Sequence, residues 1–237
     1  MNNRDPLPDN ETLQAILSRK SVRGFLSDPV DPGDIRRILH AAARAPSGSN
    51  IQPWKVHVVS GAIRDRLSQA LLQAHERGEP EHREYQYYPV KWREPYLARR
   101  RETGWSLYNT LGITRDDKAG MKRQHGRNFA FFDAPVVLFI TLDNDMETGT
   151  WMDTGMFIQS IMIAARSLGL HTCPQAALCN YPDIVRQHLK IADDQIIACG
   201  ISLGYEDVSH PANQFSTSRI GIDEFTVFHT ALDGEAS

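Results

Sequence analysis

Pro135-Val136-Val137-Leu138-Phe139-Ile140-Thr141-Leu142 is a continuous apolar run of strand length, without the polar alternation of a half-exposed strand. Such a strand sits centrally in a sheet with both faces covered, so helices must pack on either side of it. The sequence supplies a helix suited to that place. Residues 152–168 are apolar almost all round (Met156, Phe157, Ile158, Ile161, Met162, Ile163, Ala164, Ala165), and Gly169 follows as the helix-ending residue. A helix with so little polar surface belongs in the domain core or at a subunit interface.

Outward from this centre the pattern is mixed α and β. Residues 196–203 form a second apolar strand, and Lys55-Val56-His57-Val58-Val59, bounded by Pro53 and Gly61, reads as a third. His57 within it is read as an ordinary strand histidine, because no other histidine or carboxylate shares its local pattern. Leu13, Ile16 and Leu17 make one stripe of a short helix over 11–20. Asp31-Pro32 starts another, with Ile35, Ile38, Leu39 and Ala42 on one face and Pro46 as its stop. Further helices are expected over 63–75 and 183–189, and a last strand over 224–228.

Between residues 78 and 128 the composition changes: Tyr85, Tyr87, Tyr88, Trp92, Tyr96, Trp105 and Tyr108 alternate with arginines and lysines. Aromatic and basic mixing also marks single-stranded nucleic-acid surfaces, but Glu79, Glu81, Glu84, Glu94 and Glu102 dilute the positive field. A surface excursion with helical parts, a lid over a planar aromatic ligand, suits the composition better. No internal repeat or low-complexity tract divides the chain, so residues 1–237 read as one domain with 78–128 inserted in it.

Bulk properties narrow the classes further. A chain of 237 residues that is 41% hydrophobic builds one core of ordinary size. With 26 basic against 29 acidic residues, the net charge of −3 gives no electrostatic case for nucleic acid or an anionic membrane. The opening ten residues have no apolar h-region, and the longest apolar stretch, 156–165, is broken by Gln159 and Ser160; a cytoplasmic protein is expected. Cys173, Cys179 and Cys199 are odd in number and lack a CxxC spacing, which argues against a disulfide framework and a structural zinc site; no metal ligand set is read.

Three polar clusters remain: Arg19-Lys20-Ser21-Val22-Arg23, Ala45-Pro46-Ser47-Gly48-Ser49-Asn50-Ile51-Gln52-Pro53-Trp54, and Thr217-Ser218-Arg219. Along an extended backbone residues i, i+2 and i+4 share a side, so Arg19, Ser21 and Arg23 can converge on one phosphate. Guanidinium forks match phosphate oxygens and the serine adds a neutral bond. The second cluster joins a helix stop, a glycine turn and two carboxamides, which suits edge-on contact with a donor-rich and acceptor-rich ring.

Arg-Lys-Ser-Val-Arg-x-Phe and Ala-Pro-Ser-Gly-Ser-Asn-x-Gln-Pro-Trp, with a helix between them, resemble the FMN-binding start of the nitroreductase family. The likeness continues through Phe131-Phe132-Asp133-Ala134-Pro135, Ser167-Leu168-Gly169-Leu170, Thr172-Cys173-Pro174-Gln175-Ala176 and Cys199-Gly200-Ile201-Ser202-Leu203-Gly204-Tyr205. It runs from about residue 11 to 228, and in detail looks like the nitrobenzoate reductase branch.

That resemblance implies an α+β three-layer fold, a central, mainly antiparallel sheet flanked by helices, in an intertwined homodimer. It implies FMN as cofactor and NADH or NADPH as reductant in a ping-pong cycle with an aromatic acceptor, taking a nitro group to nitroso and hydroxylamine. No side chain is assigned as catalytic, since flavin N5 carries the chemistry. Arg19, Lys20, Ser21, Arg23 and Arg219 would hold the phosphate and ribityl chain; Pro46, Ser47, Gly48, Asn50 and Gln52 would reach the partner subunit's flavin. Pro174, Gln175, Ala176 and Ala177 match the segment whose backbone N–H lies near N5, although many relatives carry Glu-Gly where this chain has Gln175-Ala176. Tyr96, Arg99, Trp105 and Tyr108 are the substrate candidates of the lid. The same scaffold supports reductive dehalogenation and ene reduction, and a non-catalytic flavin-binding role stays open.

Overall fold

The computed structural model describes residues 10–229. The opening segment read for a secretory signal lies, but for Asn10, outside them. In chain order the elements are α1 (Glu11–Ser18), α2 (Pro32–Ala42), β1 (Lys55–Ser60), α3 (Gly61–Arg77), α4 (Tyr96–Thr110), α5 (Lys118–Gly126), β2 (Val136–Asp143), α6 (Thr148–Ser167), β3 (His171–Gln175), α7 (Pro182–Leu189) and β4 (Gln195–Gly204). Asp31 caps α2 as its sequence predicts, its carboxylate accepting from the Gly33 amide, with Pro32 at the first helical position.

The four strands pair antiparallel in the order β1-β2-β4-β3, which puts the two apolar runs in the middle. Successive residues of β2 feed two separate cores. Val136, Leu138 and Ile140 pack with Ile38 and Ala42 of α2 and Phe157, Ile161 and Ala165 of α6. Val137 and Phe139 turn the other way, onto Leu67, Leu71 and Ala74 of α3, onto Phe129 and Phe131 ahead of β2, and onto Val185 of α7. This double coverage is why β2 lacks alternation. Gly169, at φ +77°, ends α6 in the left-handed conformation that glycine adopts without penalty.

Two sequence expectations need correction. Residues 171–175 form an edge strand that periodicity did not reveal, since Pro174 interrupts the β pattern; an outer strand tolerates a residue with no N–H. Residues 224–228, expected as a strand, form none: a 3-10 turn covers Ile222–Glu224, and Phe225, Val227 and Phe228 stand exposed. A β-forming segment needs an edge to pair with, and among the described residues this one pairs with neither outer strand, β1 or β3.

Gly200 of β4 faces Phe139 of β2 and leaves room for Leu178. A Cβ at 200 would lie 2.3 Å from Leu178 Cδ1 and 2.9 Å from its Cβ, a clash that rotation alone does not relieve. Gly200→Ala should therefore cost about 1–3 kcal/mol by overpacking. Urea unfolding of the variant with an unchanged midpoint would contradict this packing.

Candidate functional site

Residues 19–23 run extended along the outer edge of β3: Ser21 bridges Thr172 in parallel, and the Val22 amide donates to the Thr172 carbonyl at 3.1 Å. Side chains alternate along such a segment. Val22 goes into a small core with Phe25, Phe132, Ala134 and Cys173. Lys20, of the same parity, donates from Nζ to the Asn213 carbonyl (2.9 Å) and pairs with Glu206 (2.6 Å). It is thus withdrawn from the phosphate group proposed for it, and the alternation that unites Arg19, Ser21 and Arg23 is what excludes it.

Arg19, Ser21 and Arg23 do gather. Arg23 Nη1 donates to the Ser21 carbonyl at 3.2 Å, and burial pushes the Cys173 thiol up to about 11, opposed by the charge of Arg23, a hydrogen bond with Ser21 and the charge of Arg19. Arg219 arrives from far along the chain. Burial first, and the like charge of Arg219 second, push the Arg19 guanidinium below its ordinary value. Arg219 is steadied by donating from Nη1 to Thr217 Oγ1 (2.6 Å) and the Ser218 carbonyl (2.8 Å). Among the described residues, none of Arg19, Arg23 and Arg219 pairs with a carboxylate. Converging cations without a counter-charge fit a doubly charged anion such as a phosphate monoester.

The amide-rich turn is built as its composition predicts. Gly48–Asn50 is a 3-10 turn, and Ser49, Asn50 and Gln52 all take positive φ (50°, 59° and 49°). The Gly48 amide donates to the buried Asp153 of α6 (3.1 Å), the Gln52 amide to Ser47 Oγ (3.0 Å), and Gln52 Nε2 to the Asn50 carbonyl (3.0 Å). Trp54 stacks on Phe157 with ring centroids 4.5 Å apart, fixing the turn to α6. Pro46, Asn50 and Gln52 remain exposed, and no hydrogen bond or ion pair among the described residues joins this wall to the arginine cluster.

A cleft of 720 Å³ opens between α6, the end of β3 and the start of the 78–128 excursion, lined by Tyr85, Tyr87, Trp151, Ile158, Pro174 and Ala176 among others. Tyr85 is anchored there by its hydroxyl, which donates to the Ala198 carbonyl at 2.5 Å, and by Trp151, 4.5 Å away between ring centroids. Burial pushes the Tyr85 phenol well above its usual range, so it acts as a neutral wall. Neighbouring Glu84 accepts from the Ile197 amide (3.0 Å) and pairs with Arg186, which pins this stretch to β4.

Pro174 and Ala176 line the cleft, whereas the Gln175 side chain turns into the protein. Its Nε2 donates to the Asn128 carbonyl (3.0 Å), and its Oε1 accepts from Ser202 Oγ (2.5 Å). With the carboxamide occupied, the Gln175 side chain is not available to a ligand in the cleft. Ala177 is the second residue of the 3-10 turn Ala176–Cys179, whose Leu178 packs on Gly200.

The substrate candidates lie elsewhere. Tyr96, Arg99, Trp105 and Tyr108 are all on α4 and none lines the cleft. Arg93 and Arg99 sit over the Tyr96 ring (4.9 and 5.8 Å), Arg115 over Trp105 (4.9 Å), and Trp105 packs edge-on to Tyr108. Aromatic and basic residues so mixed satisfy one another. Sequence reasoning passed over Tyr85, Tyr87 and Trp151 as cleft residues. The one available signal was the tryptophan at the start of an otherwise aliphatic helix.

The Nitroreductase family model matches residues 16–205. Over 215 residues the chain is 40% identical to a chloronitrobenzene nitroreductase of Comamonas testosteroni, covering 90% of this chain and 94% of that protein. It is 38% identical to a 4-nitrobenzoate reductase of Nocardioides sp. over 226 residues, 94% and 92% of the two chains. The crystal structure of the FMN-dependent nitroreductase NfnB from Mycobacterium smegmatis, solved in complex with NADPH, superposes with a TM-score of 0.89 at 34% identity, covering 93% of this chain and 98% of that one. The central antiparallel sheet clothed by helices, the arginine-serine edge and the family model agree: this chain belongs to the nitroreductase family.

Proposed function

We propose that the protein is an FMN-dependent oxidoreductase that takes reducing equivalents from NADH or NADPH and delivers them to nitroaromatic acceptors. The observation that carries this reading is the extended arginine-serine segment, Arg19 to Arg23, lying along the outer edge of the strand that leads into the aromatic cleft, with no carboxylate paired to Arg19, Arg23 or Arg219 among the described residues. The relatives named as nitroreductases support it.

Arg19, Ser21, Arg23 and Arg219 would hold the phosphate. Bound FMN supplies the two-electron chemistry, accepting hydride from a nicotinamide and passing it to the acceptor. The chain's own residues position and shelter. Pro174 and Ala176 form the floor on which a planar ring rests, with the Gln175 and Ala176 backbone as hydrogen-bonding partners. Tyr85, Tyr87 and Trp151 give the cleft apolar walls that exclude water and favour aromatic acceptors by stacking.

The exposed wall at Pro46, Ser47, Gly48, Asn50 and Gln52 belongs, in this reading, to the site of a second copy, so the working unit is a homodimer. Exposed Leu17, Met152, Phe225, Val227 and Phe228 support an interface of that kind. The single domain of residues 1–237 carries 78–128 as its insertion and lid, Tyr85 and Tyr87 being the part that touches the cleft. No helix among the described residues is long and apolar enough to cross a membrane, and the reading places the enzyme in the cytoplasm.

Purified protein should be yellow, lose its visible flavin bands when NADH or NADPH is added anaerobically, and regain them on adding 4-nitrobenzoate. A colourless preparation that takes up no added FMN would remove the reading; a flavin that resists both nicotinamides would leave a binding protein in place of an enzyme.

A further inference from the structure

We propose that His75, Glu81 and His125 form a site for one zinc-class divalent cation, outside the cleft, where the end of α3 packs against α5. One ligand atom from each lies within 4.8 Å of the others. His125 Nε2 is 3.6 Å from Glu81 Oε1, and the two imidazole rings are 5.3 Å apart between centroids. Tetrahedral zinc with bonds of about 2.0–2.2 Å sets its ligands about 3.3–3.5 Å apart. The His125–Glu81 pair is already at that spacing, and small rotations of these two half-exposed side chains bring it onto His75.

The surroundings hold these groups in place, as a metal site requires. Glu81 Oε2 accepts from Asn180 Nδ2 at 2.8 Å, and Asn180 is itself buried, so the carboxylate presents Oε1 to the histidines. His75 Nε2 donates to the Lys122 carbonyl oxygen at 3.1 Å, which fixes that ring and leaves Nδ1 as its ligand atom. Both imidazoles lean on the fully buried Phe129, at 5.1 and 5.8 Å. A small cleft lined by His75, Lys122, Arg123 and Gly126 opens the His75 side of the cluster to solvent. Two imidazoles and one carboxylate suit zinc and its neighbours, whereas calcium and magnesium call for more oxygens.

The ligands come from the end of α3, the loop that follows it and α5, so the cation clasps both ends of the 78–128 excursion. Glu81 is four residues before Tyr85 of the cleft wall. A cation there orders the segment that carries Tyr85 without touching the cleft itself.

The test uses tag-free full-length protein, flavin included, treated with chelator and titrated with zinc chloride by calorimetry. One equivalent per chain is expected, retained through gel filtration, with a rise in Tm. His125→Ala should abolish that equivalent, and Glu81→Gln, which keeps a carbonyl oxygen for Asn180, should weaken it by at least about tenfold. His40→Ala, an exposed residue of α2, should bind as the parent does. Equal zinc binding by the parent and both site variants would overturn the proposal, as would a parent that binds none. If His125→Ala fails to fold, Glu81→Gln alone decides.

Discussion

Arg19→Ala/Arg219→Ala protein should emerge from purification without flavin. A hydrogen bond to a charged group is worth about 1.5–3 kcal/mol, so each guanidinium lost weakens FMN by about ten- to 150-fold. The two sit close enough to perturb one another, so their effects need not add, and the double variant is expected to lose about 10²- to 10⁴-fold. A merely structural role predicts something else. In flavin-free protein, burial and the charge of Arg219 already disfavour the Arg19 guanidinium, so its removal relieves a repulsion. Unfolding free energies of the stripped parent and variant in urea should then agree to within about 0.5 kcal/mol, while FMN at a concentration that just saturates the parent raises only the parent's. Unchanged flavin affinity in the double variant would remove the phosphate assignment; a large loss of stability without flavin would make both arginines part of the fold.

The same pair shows what a sequence discloses. Arg19, Ser21 and Arg23 were legible because the period of an extended backbone is a local rule, and it held once β3 gave the segment an edge to lie on. Applied to Lys20, the rule places it on the opposite side, where Glu206 waits. That partner is 186 residues away and left no mark in the motif. The central strand and α6 were legible for a different reason: two-sided burial leaves an unbroken apolar run that no surface element tolerates. The excursion was not, because aromatic residues carry no local sign of which will be buried. Tyr85 reaches the cleft through the hold of Glu84 and its own hydroxyl on β4, whereas Tyr96 and Trp105 are taken up by arginines a few residues off. The strand expected at 224–228 did not form because the segment lies against neither sheet edge, and its own residue pattern does not encode where it will lie. His75 and His125 are likewise 50 residues apart and meet only because α5 packs on α3.

Gln175→Glu should destabilise the protein by about 3–5 kcal/mol at pH 8 and by little near pH 4, a difference read directly from urea unfolding at the two values. The side chain is 3% exposed, and its carboxamide uses both ends: Nε2 faces the Asn128 carbonyl and Oδ1, and Oε1 faces Ser202 Oγ. A carboxylate there keeps the serine's bond but sets a buried charge against two oxygens, with no cation among the groups that bond to it. A protonated carboxyl, by contrast, donates to Asn128 and accepts from Ser202 much as the amide does. The folded state thus raises the new group's pKa above its unfolded value of about 4.3, and the protein takes up a proton on folding. The penalty is absent below the unfolded pKa, grows as pH rises through the window between the two pKa values, and is constant above the folded one. Since Asn128 closes the excursion and Gln175 precedes Ala176 at the cleft floor, the same substitution should loosen flavin as pH rises. A variant as stable as the parent at pH 8 would mean that Asn128 turns its amide inward to meet the charge, and that the glutamine is not required by its surroundings.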